Sequence, residues 1–329
     1  MSDSAPTPEV LLRTWTLSPF VDVAIVACAV IYPWLVRRTR SQGRPWPGER
    51  IESWFSGLAV LALTTNGALA VYAHTLFAVH MVVHLLMIMV VPALFIWAQP
   101  IRLVHSTSGP RMQAMIDRLR TRSPLRFLIS VRFTFPLYSA VLLLTHLTGF
   151  QQAMATHMWI HDAELALYFL SGYLLLLPLI GGELTTEPPR PYPLRLIVLA
   201  ACTGPDTLVG VTLMMSSTVL APAYGASRTW GPTALSDQST AGVIMWVGGD
   251  GLMMVLMLIV VAQWIRSGDH GLGPWLDGVR QRATLGESAS AVTDINDEQA
   301  ALDAYNARLA ALHGRSRNPA DPVEKDTPQ

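Results

Sequence analysis

Apolar residues gather in seven long stretches separated by shorter polar ones, covering approximately residues 20–36, 53–73, 76–97, 127–147, 157–180, 194–220 and 239–265. A helix rises about 1.5 Å per residue, so the hydrocarbon core of a bilayer, about 30 Å thick, takes roughly 20 consecutive apolar residues. Within lipid every backbone N–H and C=O has to be paired inside the segment, and a helix does this. The pattern therefore predicts an all-α protein, a polytopic membrane helix bundle of seven transmembrane helices. Residues 20–266 make the transmembrane domain, 1–19 an N-terminal segment and 267–329 a polar tail. The tail reads as partly disordered, with one Ala-rich helix over 297–313.

Composition agrees with a membrane rather than a soluble core. Half of the chain is hydrophobic (51%), only 14% is charged, and the mean hydropathy is positive. Segment 1–19 carries acids and prolines without a basic start, so span one reads as retained rather than as a cleaved leader. Basic residues are almost all arginines, Lys325 being the one lysine. No basic tract resembles a nucleic-acid footprint, so no nucleic-acid partner is expected and the lipid bilayer is the surrounding phase.

The arginines alternate from loop to loop. Arg37, Arg38, Arg40, Arg44 and Arg50 follow span one, and Arg102, Arg111, Arg118, Arg120, Arg122 and Arg126 follow span three. Arg190 and Arg195 follow span five and Arg266 follows span seven, while Arg13 and Arg228 stand alone on the other side. Cytoplasmic loops collect Lys and Arg near span ends. The N-terminus is thus expected outside and the C-terminus in the cytoplasm of a bacterial cell membrane. Residues 110–122 read as an amphipathic helix on the cytoplasmic surface, with Met112, Met115, Ile116 and Leu119 at helical spacing.

Five of the nine histidines then fall on apolar helical segments at one level. His80 and His84 lie on span three at i and i+4, roughly 9 and 15 Å below its outer end. His157 and His161 repeat the spacing on span five, with Asp162 and Glu164 beside them as partners for a second ring nitrogen. His146 closes span four near the same face. An ionisable side chain in a bilayer marks a functional site by default, and two imidazoles one turn apart can meet one metal. Met214, Met215 and Met245 reach comparable depth, and imidazole with thioether suits copper, the cuprous ion above all. Against this stand ordinary roles: a single histidine can be a satisfied helix-to-helix hydrogen bond, and most methionines are packing.

Two acids lie deeper, Asp206 on span six and Asp250 on span seven, each in a stretch loosened by proline or glycine. Asp250, at about the depth of His84, is a candidate inner ligand or ligand support; pairing with Arg132 or capping of a helix break are the structural alternatives. Cys28 and Cys202 sit singly in separate spans and define no disulfide framework or CxxC site. Walker loops, GxSxG elbows, HExxH motifs and Ser/His/Asp orderings are absent, so no enzyme activity is read from the chain.

The segment His80-Met81-Val82-Val83-His84, followed by Pro92-Ala93-Leu94 and Gln99-Pro100, resembles the HMxxH span of the CtaG family, the multi-span cytochrome c oxidase assembly proteins. Three further segments are similar to that family: 157–181 with its Pro178-Leu179-Ile180-Gly181 ending, 210–224 with Pro222, and Asp237-Gln238 through Gly242, Met245 and Trp246 at the start of the last span. The likeness runs over roughly residues 50–266. It implies a part in making an active haem-copper oxidase, with a subunit of that oxidase as membrane partner and an extracytoplasmic donor of copper. The family's histidines correspond to His80 and His84 and, by a weaker match, to His157 and His161. Asp237 reads as a cap of span seven, or as a copper relay at the outer surface.

The expected site is therefore an outward-facing copper site drawn from His80, His84, His157, His161, His146, Met245, Met214 and Asp250. Two other readings stay open. One is a b-type haem held by two of the histidines; the other is a transporter that couples copper or protons through Asp206 and Asp250.

Overall fold

The structure is a computed structural model that describes residues 5–151, 158–181, 191–225 and 229–267. His157 and the expected tail helix lie outside them. The described residues are helical, without strands. Six helices are long and apolar enough to cross a membrane: Pro19–Ser41, Gly48–Tyr72, Phe77–Thr107, Trp159–Ile180, Tyr192–Met215 and Ala234–Arg266. The shorter apolar helix Val131–Leu147 completes the seven.

Span three is the axis of the bundle. Two thirds (67%) of its apolar window is buried, against 11% for span one. Its inner half packs on span two, its middle on span five and its outer half on span seven, and spans four and six close the ring. Span one lies at the edge, with Phe20, Val23, Val26, Val30 and Trp34 exposed, an apolar face that suits lipid. In its C-terminal half the Tyr32 hydroxyl donates to the Ala98 carbonyl at 2.7 Å. That bond pairs one of the carbonyls that a helix end leaves open.

Span three itself is not a uniform helix. After Phe77–Leu85 the turn widens to a π-helix over Leu86–Val90 before Val91–Ala98 resumes. Pro92 explains the position, since it has no N–H to give the Ile88 carbonyl four residues back. Span five fits against that carbonyl through Gly172, where a Cβ would stand 1.7 Å from the Ile88 oxygen. Within Phe77–Thr107 the helix breaks at Gln99, left-handed at φ 51, and restarts at Pro100.

Two segments depart from the sequence expectation. Span two breaks after Thr65, because Asn66 leaves the helix to pair with Asp22 of span one, and resumes as Ala68–Tyr72. Span six stops at Met215 rather than near residue 220. The amphipathic segment forms a helix, Pro110–Thr121, with Met112, Met115 and Leu119 exposed; an apolar face left outside the bundle fits a helix lying on a membrane surface.

Candidate functional site

The site is set by the start of span three. Asp237 was expected to cap its own helix, but Thr233 does so by accepting from the Ser236 N–H. Asp237 instead reaches across the bundle: its carboxylate accepts from the N–H groups of Phe77 and Ala78 at 2.9 and 3.2 Å. A carboxylate at a helix N-terminus satisfies open donors and meets the positive end of the dipole. Gln238 clamps the preceding loop, accepting from Leu220 N–H at 2.8 Å and donating to the Thr218 carbonyl at 3.0 Å. Gly242 then lets span seven touch span six, where a Cβ would stand 2.5 Å from the Gly210 oxygen. Close backbone approach at small residues is the usual joint between membrane helices.

One turn inside this capped start lie His80 and, one turn further, His84, both fully buried. Span five presents Glu164 to them. Its Oε2 stands 3.5 Å from His84 Nε2 and 3.8 Å from His80 Nε2, and one donor atom from each of the three residues falls within 4.8 Å of the others. His161, one turn nearer the surface on the same helix, places its ring 5.6 Å from that of His80. From the sequence alone Glu164 is expected only as a partner for a second ring nitrogen. Its role was signalled by face arithmetic: His161, Glu164 and Tyr168 share one stripe at i, i+3 and i+7, and Asp162 points away with its side chain 79% exposed.

His146 and Tyr168 build the floor. The Leu142 carbonyl, which can only accept, lies 2.9 Å from His146 Nδ1, so that nitrogen carries the hydrogen. A neutral His146 then offers a lone pair at Nε2, and His84 Nδ1–H donates to it across 3.2 Å. His84 is thereby left with its lone pair at Nε2, facing Glu164. The Tyr168 ring stacks on His84 at 4.1 Å, while its hydroxyl bonds Thr145 Oγ1 at 2.6 Å.

The cluster is underpaired. Both ring nitrogens of His80, Nε2 of His84, Nε2 of His161 and both oxygens of Glu164 are buried without a hydrogen-bond partner. Leaving a buried polar atom unmade costs about 1–3 kcal/mol. Metal–nitrogen bonds are about 2 Å, so two donors on one ion stand roughly 3–4 Å apart. Residues spaced and unpaired in this way fit a cation among them.

The remaining candidates are placed elsewhere or at the margin. Met245 is fully buried in a second π-helical turn, Ile244–Gly248, which packs on the helix of His80 and His84. Met214 is half-buried on span six, its backbone against Gly242. Asp250 accepts from the Thr207 hydroxyl at 3.1 Å and leaves Oδ1 unpaired; the neighbouring Gly249 abuts Asp206, whose two oxygens share the Tyr138 hydroxyl at 3.0 Å. Arg132 is exposed at the start of span four, so the pairing weighed for these acids is not what holds Asp206. Outside the spans, His74 lies exposed on the turn before Phe77, with its pKa lowered by desolvation and pulled back up by Asp162.

A helix bundle that crosses the membrane several times and keeps an underpaired group of imidazoles and a carboxylate inside it defines a multi-pass membrane protein with an internal polar site. The chain belongs to the cytochrome c oxidase caa3 assembly factor (Caa3_CtaG) family, whose pattern matches residues 30–267. Six spanning helices and this family make it a multi-pass protein of the bacterial plasma membrane. Uncharacterized proteins of Mycobacterium bovis and Mycobacterium tuberculosis are 27% identical to it over 317 residues, and one of Mycobacterium leprae 25% over 320. Each alignment covers 93% of this chain and 46% of the relative, so the chain spans about half the length of the curated relatives it matches. No solved structure matches it.

Proposed function

We propose that this protein serves the assembly of a haem-copper oxidase by binding copper at His80, His84 and Glu164, with His161 beside them, and passing the ion to an oxidase subunit in the membrane. The supporting observation is the convergence of buried donor atoms that have no partner of their own. His84 Nε2 and the Glu164 carboxylate are both acceptors, and two acceptors 3.5 Å apart repel unless a cation or a proton lies between them. Copper takes imidazole nitrogen in either oxidation state, and the carboxylate weights the set toward the cupric ion more than the expected thioethers would. The part is that of a binder and carrier, not a catalyst, supplied by an extracytoplasmic copper donor.

Packing disfavours the haem reading. The rings of His80 and His84 touch at 4.0 Å and His84 is covered by Tyr168 at 4.1 Å. A bis-His haem needs an open slot for the macrocycle between two facing rings.

The test is metal content of the purified full chain after copper loading, beside Glu164→Gln and the double change His80→Ala with His84→Ala. The wild type is expected to hold about one copper and no Soret band, and both variants to lose the copper. Wild-type protein that stays copper-free after loading overturns the proposal and leaves a proton shared between Glu164 and His84 as the account of the cluster.

A further inference from the structure

One imidazole near the site has no part in that function. His74 sits on the turn between Tyr72 and Phe77, exposed, at the end of the bundle that the capped start of span three defines. Its ring stands 4.6 Å from His161, His161 stands 5.6 Å from His80, and His80 stands 4.0 Å from His84. Four imidazoles thus run in file from an exposed ring to a fully buried one. The second member, His161, is 6% exposed and its Nε2 has no hydrogen-bond partner. Beside it the exposed Asp162 places a carboxylate oxygen 4.0 Å from His161 Nδ1, which adds negative charge at the opening. A cation outside would feel that charge first.

We infer that His74 and His161 form a surface capture site for copper and hand the ion inward to His80, His84 and Glu164. The inference rests on the copper reading above and adds the route by which the ion arrives. Transfer goes by ligand exchange: a bond from copper to His74 breaks as one to His80 forms, with His161 held throughout, and then His161 is released as His84 and Glu164 bind. Two copper–nitrogen bonds of about 2 Å each let one ion bridge nitrogens roughly 4 Å apart, the order of the separations along this row of imidazole rings. No electron is transferred, and water or the donor's ligand leaves as each imidazole takes its place.

His74 is exposed, so His74→Ala is expected to fold. In the full chain loaded from a weak coloured copper chelate, His74→Ala should take up copper at least about tenfold more slowly than wild type, by analogy with the loss when one metal-site group is removed. Its final copper content should equal that of wild type, and His74→Met, which keeps a donor atom, should recover much of the rate. Glu164→Gln, in contrast, should lose final content. His74→Ala loading at the wild-type rate overturns the capture site. Loss of final content equal to that of Glu164→Gln also overturns it, because His74 would then be a permanent ligand. Wild-type protein that binds no copper overturns the buried site and the capture site with it; a normal buried site loaded at an unchanged rate removes the capture site alone.

Discussion

Leu142 decides which nitrogen of His84 is free to bind. Its carbonyl fixes the hydrogen of His146 on Nδ1, His146 in turn accepts from His84 Nδ1, and the lone pair of His84 is turned to Glu164. Groups that orient a metal-binding imidazole in this way are worth 10–100-fold in affinity. His146→Ala is accordingly expected to weaken copper binding by about 10–100-fold without changing its stoichiometry, and His146→Gln, whose amide oxygen can still accept from His84, to restore most of it. Titration against a competing chelator measures both. Loss of stoichiometry equal to that of the double His80→Ala and His84→Ala change would make His146 a ligand instead. Both of its ring nitrogens are engaged in hydrogen bonds, which depth along a helix could not reveal: His146 was placed by its distance from the surface alone. Glu164 was in reach of the sequence, because the stripe it shares with His161 and Tyr168 follows from the helical period. His74 was not, since nothing in the spacing says that a turn folds back over span five.

At the scale of elements, the hydrophobic pattern gives the spans and their order because a bilayer demands length and apolarity and little else. It gives no sign of where a helix widens or stops. The break at Asn66 depends on Asp22 forty-four residues away, and Asp237 caps span three from span seven; both are tertiary bonds made by residues whose local sequence favours another role. The π-turn at Leu86–Val90 is half legible, through Pro92, but its other half is Gly172 on span five. That pair sets how closely the helix of Glu164 approaches the helix of His84. Gly172→Ala would drive a Cβ into the Ile88 carbonyl, and backbone on both sides leaves no flexible side chain to yield. Overpacking costs typically 1–3 kcal/mol, and this position belongs at or beyond about 3 kcal/mol. Thermal unfolding of the variant in detergent, followed by size exclusion, should show a clear drop in midpoint; an unchanged midpoint would mean that the two helices do not touch there.

For the whole molecule, what matters is which side of the membrane the His74 end faces, since a site fed as proposed by an outside donor must open outward. The bundle places His74, Asp162 and Ser217 toward one end and the arginine-bearing turn around Ser41 toward the other: His74 and Asp162 meet at His161, while Ser217 follows the end of span six and Ser41 the far end of span one. From the arginine asymmetry the first end is expected outside. Both native thiols lie within spans, Cys28 half-buried and Cys202 buried, so a charged maleimide that does not cross membranes gives a low background. Intact cells carrying Ser217→Cys should be labelled at full extent, whereas those carrying Ser41→Cys should react only after the membrane is opened. The reverse pattern would turn the proposed copper site to the cytoplasm, and the ion would then have to come from a donor inside the cell. Labelling of both from outside would mean that the chain inserts in two orientations, which an arginine bias repeated at loop after loop argues against.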